Sequence, residues 1–286
     1  MKPIFVFIWF VSYGLTFAQT RTYKPVKYPQ NYTANIDIVY TQVNGWKGKM
    51  DTYINLKAEK PTPIVINIHG GGWNHGVKES QRGFGSFFKN GYAVANVAYR
   101  LVDVATAPAA IQDIRCALIY IYKNAKRLNI DTTKIVIMGG SAGGHLALMS
   151  GLLGNNKKMD INCFFNKKIK IAAIINKYGV TDLVPLKKWR SVKKWLGNKI
   201  NNQKFIESVS PIYYVNKNSP PIFSVHGNED PIVPYQQSVI LHKALKKHNI
   251  INDFITIKGG KHGKFSKEQK SYINKKMWLF LKELKL

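Results

Sequence analysis

The sequence predicts one α/β domain built on a mostly parallel sheet with helices on both faces. Three observations carry this reading. Short continuous apolar runs recur along the chain, as strands buried on both faces require. Amphipathic helical patterns alternate with them to the C-terminal end. The chain has 286 residues and 45% hydrophobic content, enough for one sizeable core.

In chain order, the opening stretch MKPIFVFIWFVSYGLTFAQT reads as a signal peptide. Lys2 gives a short positive start, Ile4 to Val11 is apolar, and Thr16 and Ala18 put small residues where a signal peptidase cuts. A membrane anchor is the weaker reading. Ser12, Gly14 and Thr16 interrupt a run already short of the about 20 residues that a span needs. Export with cleavage after Ala18 is expected, to a secreted or periplasmic location and without stable membrane insertion. Residues 1–18 are then the signal peptide and 19–286 the folded domain.

A polar lead-in over 19–31 precedes two alternating patterns, near 36–40 and 52–56, that predict early strands. Continuous apolar runs at 64–68, 92–98, 135–138, 171–175, 222–225 and 254–257 predict the buried strands. Helical patterns at 81–89, 108–128, 144–152, 235–248 and 266–284 lie between and after them. The segment 182–218 is too long for a simple connection. It is expected to form a small cap insertion over one edge of the sheet, with SVKKWLG (191–197) as a short helix.

Two cysteines do not make a disulfide framework in a chain this long. Cys116 falls in an amphipathic helical pattern and Cys163 in a lysine-rich connection, so both are expected unpaired. The net charge of +28 is spread over almost every polar face. No basic stripe interleaved with aromatics stands out, so it reads as background composition and no nucleic-acid partner is expected. No Cys/His cluster has zinc-ligand spacing, and no metal is expected.

Ligands of such a sheet bind at the carboxyl ends of its strands. The segments there are HGGGW (69–73), GGSAGG (139–144), NKYGVTD (176–182), HGNEDPIVP (226–234) and GGKHG (259–263). Gly139-x-Ser141-x-Gly143, between a buried strand and a helix, fits a nucleophile elbow, a strained turn that lifts a serine hydroxyl clear of the sheet. Side chains at the glycines would strike the adjoining strand and helix. A nucleophilic serine needs a base, and the base an orienting carboxylate. His262 sits in a Gly-rich loop where nothing structural calls for an imidazole, and Asp230 in a loop stiffened by Pro231 and Pro234. Glu229 and Asp182 are the rival acids. The three glycines of HGGGW let backbone amides approach a carbonyl oxygen, so Gly71 and Gly72, with Ala142, are the candidate oxyanion donors. Trp73 either lines the substrate pocket or packs beneath it. His69 is assigned to pinning its loop, His145 to the interior, His226 to a structural role, and Arg100 with Asp113 to an ion pair.

HGGGW, YRL, DIRCALIYIYKNA, GGSAGGHLAL, HGNEDPIVP and GGKHG, in this order, resemble the α/β-hydrolase esterases. The nearest branch is that of the hormone-sensitive-lipase-like and bacterial feruloyl and acetylxylan esterases. The resemblance runs from about Ile36 to the C-terminus. It implies the α/β-hydrolase fold and a cofactor-independent serine esterase, with Ser141, Asp230 and His262 on the triad positions. It also implies oxyanion donors from the HGGG loop and Ala142. Exported members often remove acetyl or feruloyl groups from cell-wall polysaccharides, so a polysaccharide-borne ester is the expected substrate. The competing readings are a lipid or small-molecule esterase, an amidase like the kynurenine formamidases, and an inactive anionic-glycan-binding protein. A binding module has no use for serine, acid, histidine and oxyanion loop together.

Overall fold

The computed structural model describes residues 23–286, so the expected signal peptide lies outside the described residues. Its sheet begins with a hairpin, β1 (Thr33–Val43) and β2 (Trp46–Ile54). Asn44 and Gly45 turn it with φ of 47° and 81°, the positive pair an Asn-Gly hairpin turn uses. The strands β3 (Thr62–Ile68), β4 (Ala93–Val97), β5 (Ile130–Gly140), β6 (Ala173–Lys177), β7 (Ile222–Gly227) and β8 (Asn252–Ile257) complete it. Eight strands lie in the order β1-β2-β4-β3-β5-β6-β7-β8, antiparallel as far as β4 and parallel beyond. This is the α/β-hydrolase arrangement expected.

Alternate residues of each central strand serve two separate cores. Ile64, Ile66, Ile135, Ile137 and Ile174 face one side with α2 (Ala109–Asn124), α3 (Ala142–Leu152) and α6 (Gln236–Lys247). Val65, Val94, Val136, Ile175 and Phe223 face the other with α1 (Gly85–Lys89) and α7 (Lys267–Glu283). Ser266 and Gln269 form a capping box that starts α7 where its apolar pattern begins. Residues 182–218 hold α4 (Arg190–Leu196), α5 (Gln203–Ser208) and three 3₁₀ turns. Among the described residues, no helix is long and apolar enough to cross a membrane.

One expectation is corrected here. Cys116 and Cys163 form a disulfide, with Cα atoms 5.4 Å apart. The connection after α3 folds back over α2, held by the Arg115 guanidinium on Asp160 at 2.7 and 2.9 Å. Neither a helical pattern nor a lysine-rich linker reveals that return. The bridge closes a separation of 47 residues, worth about 4 kcal/mol in the chain-entropy model. Replacing both cysteines by alanine is therefore expected to lower unfolding free energy by up to that amount, read from urea titrations of oxidised wild type and variant. Equal midpoints would show that the bridge constrains nothing.

Burial also fixes the charge of three histidines. His69, His145 and His242 are 2%, 0% and 4% exposed, and desolvation lowers the pKa of each to about 4. Unfolded, each titrates near 6.5. The stability they contribute is complete above pH 6.5 and is lost as pH falls toward 4, at roughly 1.4 kcal/mol per pH unit for each. Urea midpoints should fall steeply between pH 6.5 and 4.5. A flat profile there would mean that these imidazoles are not held neutral.

Candidate active site

The apolar end of β5 runs straight into the N-terminus of α3, and Ser141 stands at the junction with φ 56° and ψ −124°. That left-handed conformation is rare for a residue with a side chain and is stored as local strain. The surrounding glycines are required by contact. A Cβ on Gly139 would lie 2.2 Å from the Gly143 carbonyl oxygen, and one on Gly143 would lie 2.3 Å from that of Ile68. The Ser141 amide donates to the Lys177 carbonyl at 2.9 Å, anchoring the turn to β6. Ser141 thus lines a cavity of about 620 Å³ at the carboxyl ends of the strands. A larger cavity, about 840 Å³, lies by Thr133 and Pro221 at the opposite end and holds none of the candidate groups.

His262 lines the cavity of Ser141, and its Nδ1 lies 2.7 Å from Asp230 Oδ2. The Asp230 side chain has no exposure. Burial alone would raise its pKa. Hydrogen bonds from His226, His262 and the Val233 and Ile232 amides outweigh burial and hold the carboxylate well below its ordinary range. Asp230 is therefore an acceptor at neutral pH, and the contact orients Nδ1–H of His262 toward it, the tautomer whose Nε2 can act as a base. Asp182, the rival acid, accepts from the Val184 amide at 3.0 Å and has its pKa raised by burial. Glu229, the other rival, is an exposed neighbour of Asp230.

His226 does more than the structural part expected of it. Its Nδ1 meets Ser238 Oγ at 2.7 Å, while Nε2 lies 3.0 Å from the Val233 carbonyl and 3.2 Å from Asp230 Oδ2. It ties the acid to both its strand and its loop. Tyr178, given no role from sequence, packs its ring edge-on to His262 at 4.8 Å and carries a positive φ of 45°. Its place after β6 puts it on the rim shared by the other motifs, but its contact with His262 depends on loops far apart in the chain.

The HGGGW loop lies across the cavity. Gly71 takes φ 118°, and a Cβ there would lie 1.9 Å from the His75 carbonyl oxygen, so only glycine fits. Gly71, Gly72 and Ala142 all line the cavity. Ala142 is the first residue of α3, where an amide has no partner within the helix. His69 pins the loop as expected: its Nδ1 meets the Gly70 carbonyl at 2.7 Å and its ring stacks on Tyr99 at 4.3 Å. Trp73 lines the cavity yet is only 2% exposed. Its face stacks on Trp195 of α4 at 4.7 Å, and its Nε1 donates to His145 Nδ1 at 3.3 Å. His145 in turn donates Nε2–H to the Val209 carbonyl at 2.8 Å, an interior residue as expected. Trp73 and His145 thus dock the 182–218 segment, from which Leu186, Trp189, Ser191 and Val192 enter the cavity wall. Arg100 and Asp113 form the anticipated pair at 2.7 Å behind this layer.

Among the described residues, no group of three or more His, Cys, Asp or Glu side chains is placed to hold a metal ion. The arrangement supplies a strained serine, an imidazole oriented by a buried carboxylate, and a glycine loop and helix start that line the same space. Those are the parts of acyl transfer through a covalent intermediate.

The BD-FAE family model matches residues 50–245 of the chain. The esterase LipQ of Mycobacterium tuberculosis is 28% identical over 201 residues, which cover 67% of this chain and 48% of the relative. The esterase LipC of the same organism is 25% identical, covering 63% and 47%. The chain thus spans about half the length of these curated relatives. Among solved structures, an acetyl ester-xyloside bifunctional hydrolase from Caldicellulosiruptor lactoaceticus superposes with a TM-score of 0.68. It is 27% identical and covers 81% of this chain and 88% of its own. A truncated carbohydrate esterase from gut microbiota shares the fold, with a TM-score of 0.77 at 24% identity, covering 91% and 99%.

Proposed function

This chain belongs to the BD-FAE family of α/β-hydrolases, and from that premise we propose that it is an exported serine carboxylesterase removing short acyl groups from cell-wall polysaccharide. The observation that carries the reading is the 2.7 Å His262–Asp230 pair, which opens on the same cavity as Ser141. In the proposed mechanism His262 Nε2 takes the hydroxyl proton as Ser141 Oγ attacks the ester carbonyl. The amides of Ala142 and of Gly71 or Gly72 hold the tetrahedral oxyanion. His262 then returns the proton to the departing alcohol, and water resolves the acyl-enzyme by the reverse sequence. Asp230 keeps Nδ1 protonated and balances the transient imidazolium.

Three observations support the finer parts. A disulfide fits an oxidising compartment, in line with a leader cleaved after Ala18. The 182–218 segment is built of two short helices and three 3₁₀ turns, which fits a small cap. The acetyl ester-xyloside hydrolase of similar fold supports a glycan-borne acetyl ester. Each methylene that a pocket recognises is worth about 1–3 kcal/mol, so a site under a small cap gains little from longer chains. Across p-nitrophenyl acetate, butyrate, octanoate and decanoate, kcat/KM is expected to be greatest at acetate or butyrate, with acetate released from acetylated xylan or pectin. A maximum at octanoate or beyond, with no release from either polymer, would assign the enzyme to lipid esters instead.

A further inference from the structure

Lys177 ends β6 beside the elbow, and it lines two cavities at once. It lines the 620 Å³ cavity with Ser141 and a second cavity of about 350 Å³, and Tyr178 and Gly263 are likewise common to both walls. Strand alternation puts it there. Ala173 and Ile175 face the core under α1 and α7, and Lys177 continues that row at the sheet's end.

No Asp or Glu lines either cavity, and the smaller one is lined by a second lysine, Lys270 of α7. The buried cations of this fold have carboxylates within 3 Å: Lys78 has Asp51 at 2.8 Å, Arg100 has Asp113 at 2.7 Å, and Arg115 has Asp160 at 2.7 Å. Half-buried Lys177 has no such partner among the described residues, and desolvation draws its pKa down to about 8, leaving it still largely charged at pH 7. An ammonium set in a protein wall with no protein carboxylate beside it is costly, and a strand end accepts many apolar residues. An anionic group on the substrate would supply the partner that the chain itself does not.

We propose that Lys177, with Lys270 behind it, forms an anion subsite of the active site that recognises a carboxylate carried by the ester substrate. This rests on the esterase reading above and narrows its substrate class. Phe87, Phe265 and Met277 are among the other walls of this cavity of about 350 Å³, so its ligand is a carboxylate on a compact body. A uronic acid next to the esterified sugar would bring the carboxylate on the alcohol side. A dicarboxylic half-ester would bring it on the acyl side.

Two matched pairs separate these sources: an acetylated methyl glucuronoside against the acetylated methyl glucoside, and mono-p-nitrophenyl succinate against p-nitrophenyl butyrate. Wild type is expected to favour the anionic member of one pair by about tenfold or more in kcat/KM, the worth of a charge-assisted contact. Lys177→Met should collapse that ratio toward one, and Lys177→Arg should keep the larger part of it. The ratio is internal to each protein, so altered overall activity does not disguise the result. Equal rates on both members of both pairs in wild type would overturn the subsite, whatever the variants do. So would a ratio unchanged in Lys177→Met. Failure of wild type to hydrolyse any of the four esters would instead count against the esterase reading.

Discussion

Ser141→Ala is expected to abolish ester hydrolysis, lowering kcat by about five orders of magnitude or more, with the fold unchanged. The serine already bears a Cβ at φ 56°, so alanine adds no strain to the turn. No hydrogen bond of the elbow depends on the hydroxyl: the amide of Ser141 anchors to Lys177 and its carbonyl accepts from the His145 amide at 3.0 Å. What disappears is the atom that forms the acyl bond, and no neighbouring group replaces it. If the amides of the HGGG loop and Ala142 form the proposed oxyanion hole, they should sustain a residual rate above that of water. Two readings test this: p-nitrophenyl acetate turnover, and labelling by a fluorophosphonate, which requires an activated serine. Ordinary turnover in a variant with the wild-type melting curve would sink the assignment of the nucleophile.

Asp230→Asn should lower kcat by about a thousandfold or more, and Asp182→Asn should be mild. The asparagine keeps the volume and removes the charge. An amide also presents a donor as readily as an acceptor to His262 Nδ1, which favours the tautomer with Nε2 protonated and useless as a base. The variant leaves a second group without its partner, because His226 Nε2 lies 3.2 Å from the same oxygen. A modest loss of stability should therefore accompany the loss of rate. At Asp182 the carboxylate serves the Val184 amide, a local contact within its own turn. If the two variants ranked the other way, both verified as folded, the acid would belong to the earlier loop.

Sequence reached different parts of this molecule unequally. The buried strands were legible because a sheet covered on both faces demands unbroken apolar runs, and Ile135 to Met138 has no other use. The start of β2 was not: it begins at Trp46, well ahead of the alternation noticed near Thr52, since Lys47 and Lys49 dilute the pattern. Asn44-Gly45 is the cue that locates it. The helix α5 escaped notice because it is six residues long and owes its shape to an Asn202 cap and to what it lies on. In the candidate site, Ser141, Asp230 and His262 were legible because the glycines and prolines around them mark a backbone shaped for display. Tyr178 and the second contact of His226 depend on which loops meet in space, and one residue's neighbours in the chain do not record that.

The disulfide and the Arg115 fork hold one segment at two points, Cys163 and Asp160, on consecutive residues of α2. Both clamps serve the connection that feeds the amino end of β6, whereas Ser141 and His262 open at the carboxyl ends. Reduction removes one clamp and leaves the other, so the cooperative unit that loosens first is this connection and not the catalytic rim. Hydrogen exchange would register that opening in the 155–170 backbone while turnover stayed constant. The molecule thus separates its redox history from its chemistry. A chain that has never met an oxidant should differ from the oxidised one in endurance rather than in competence.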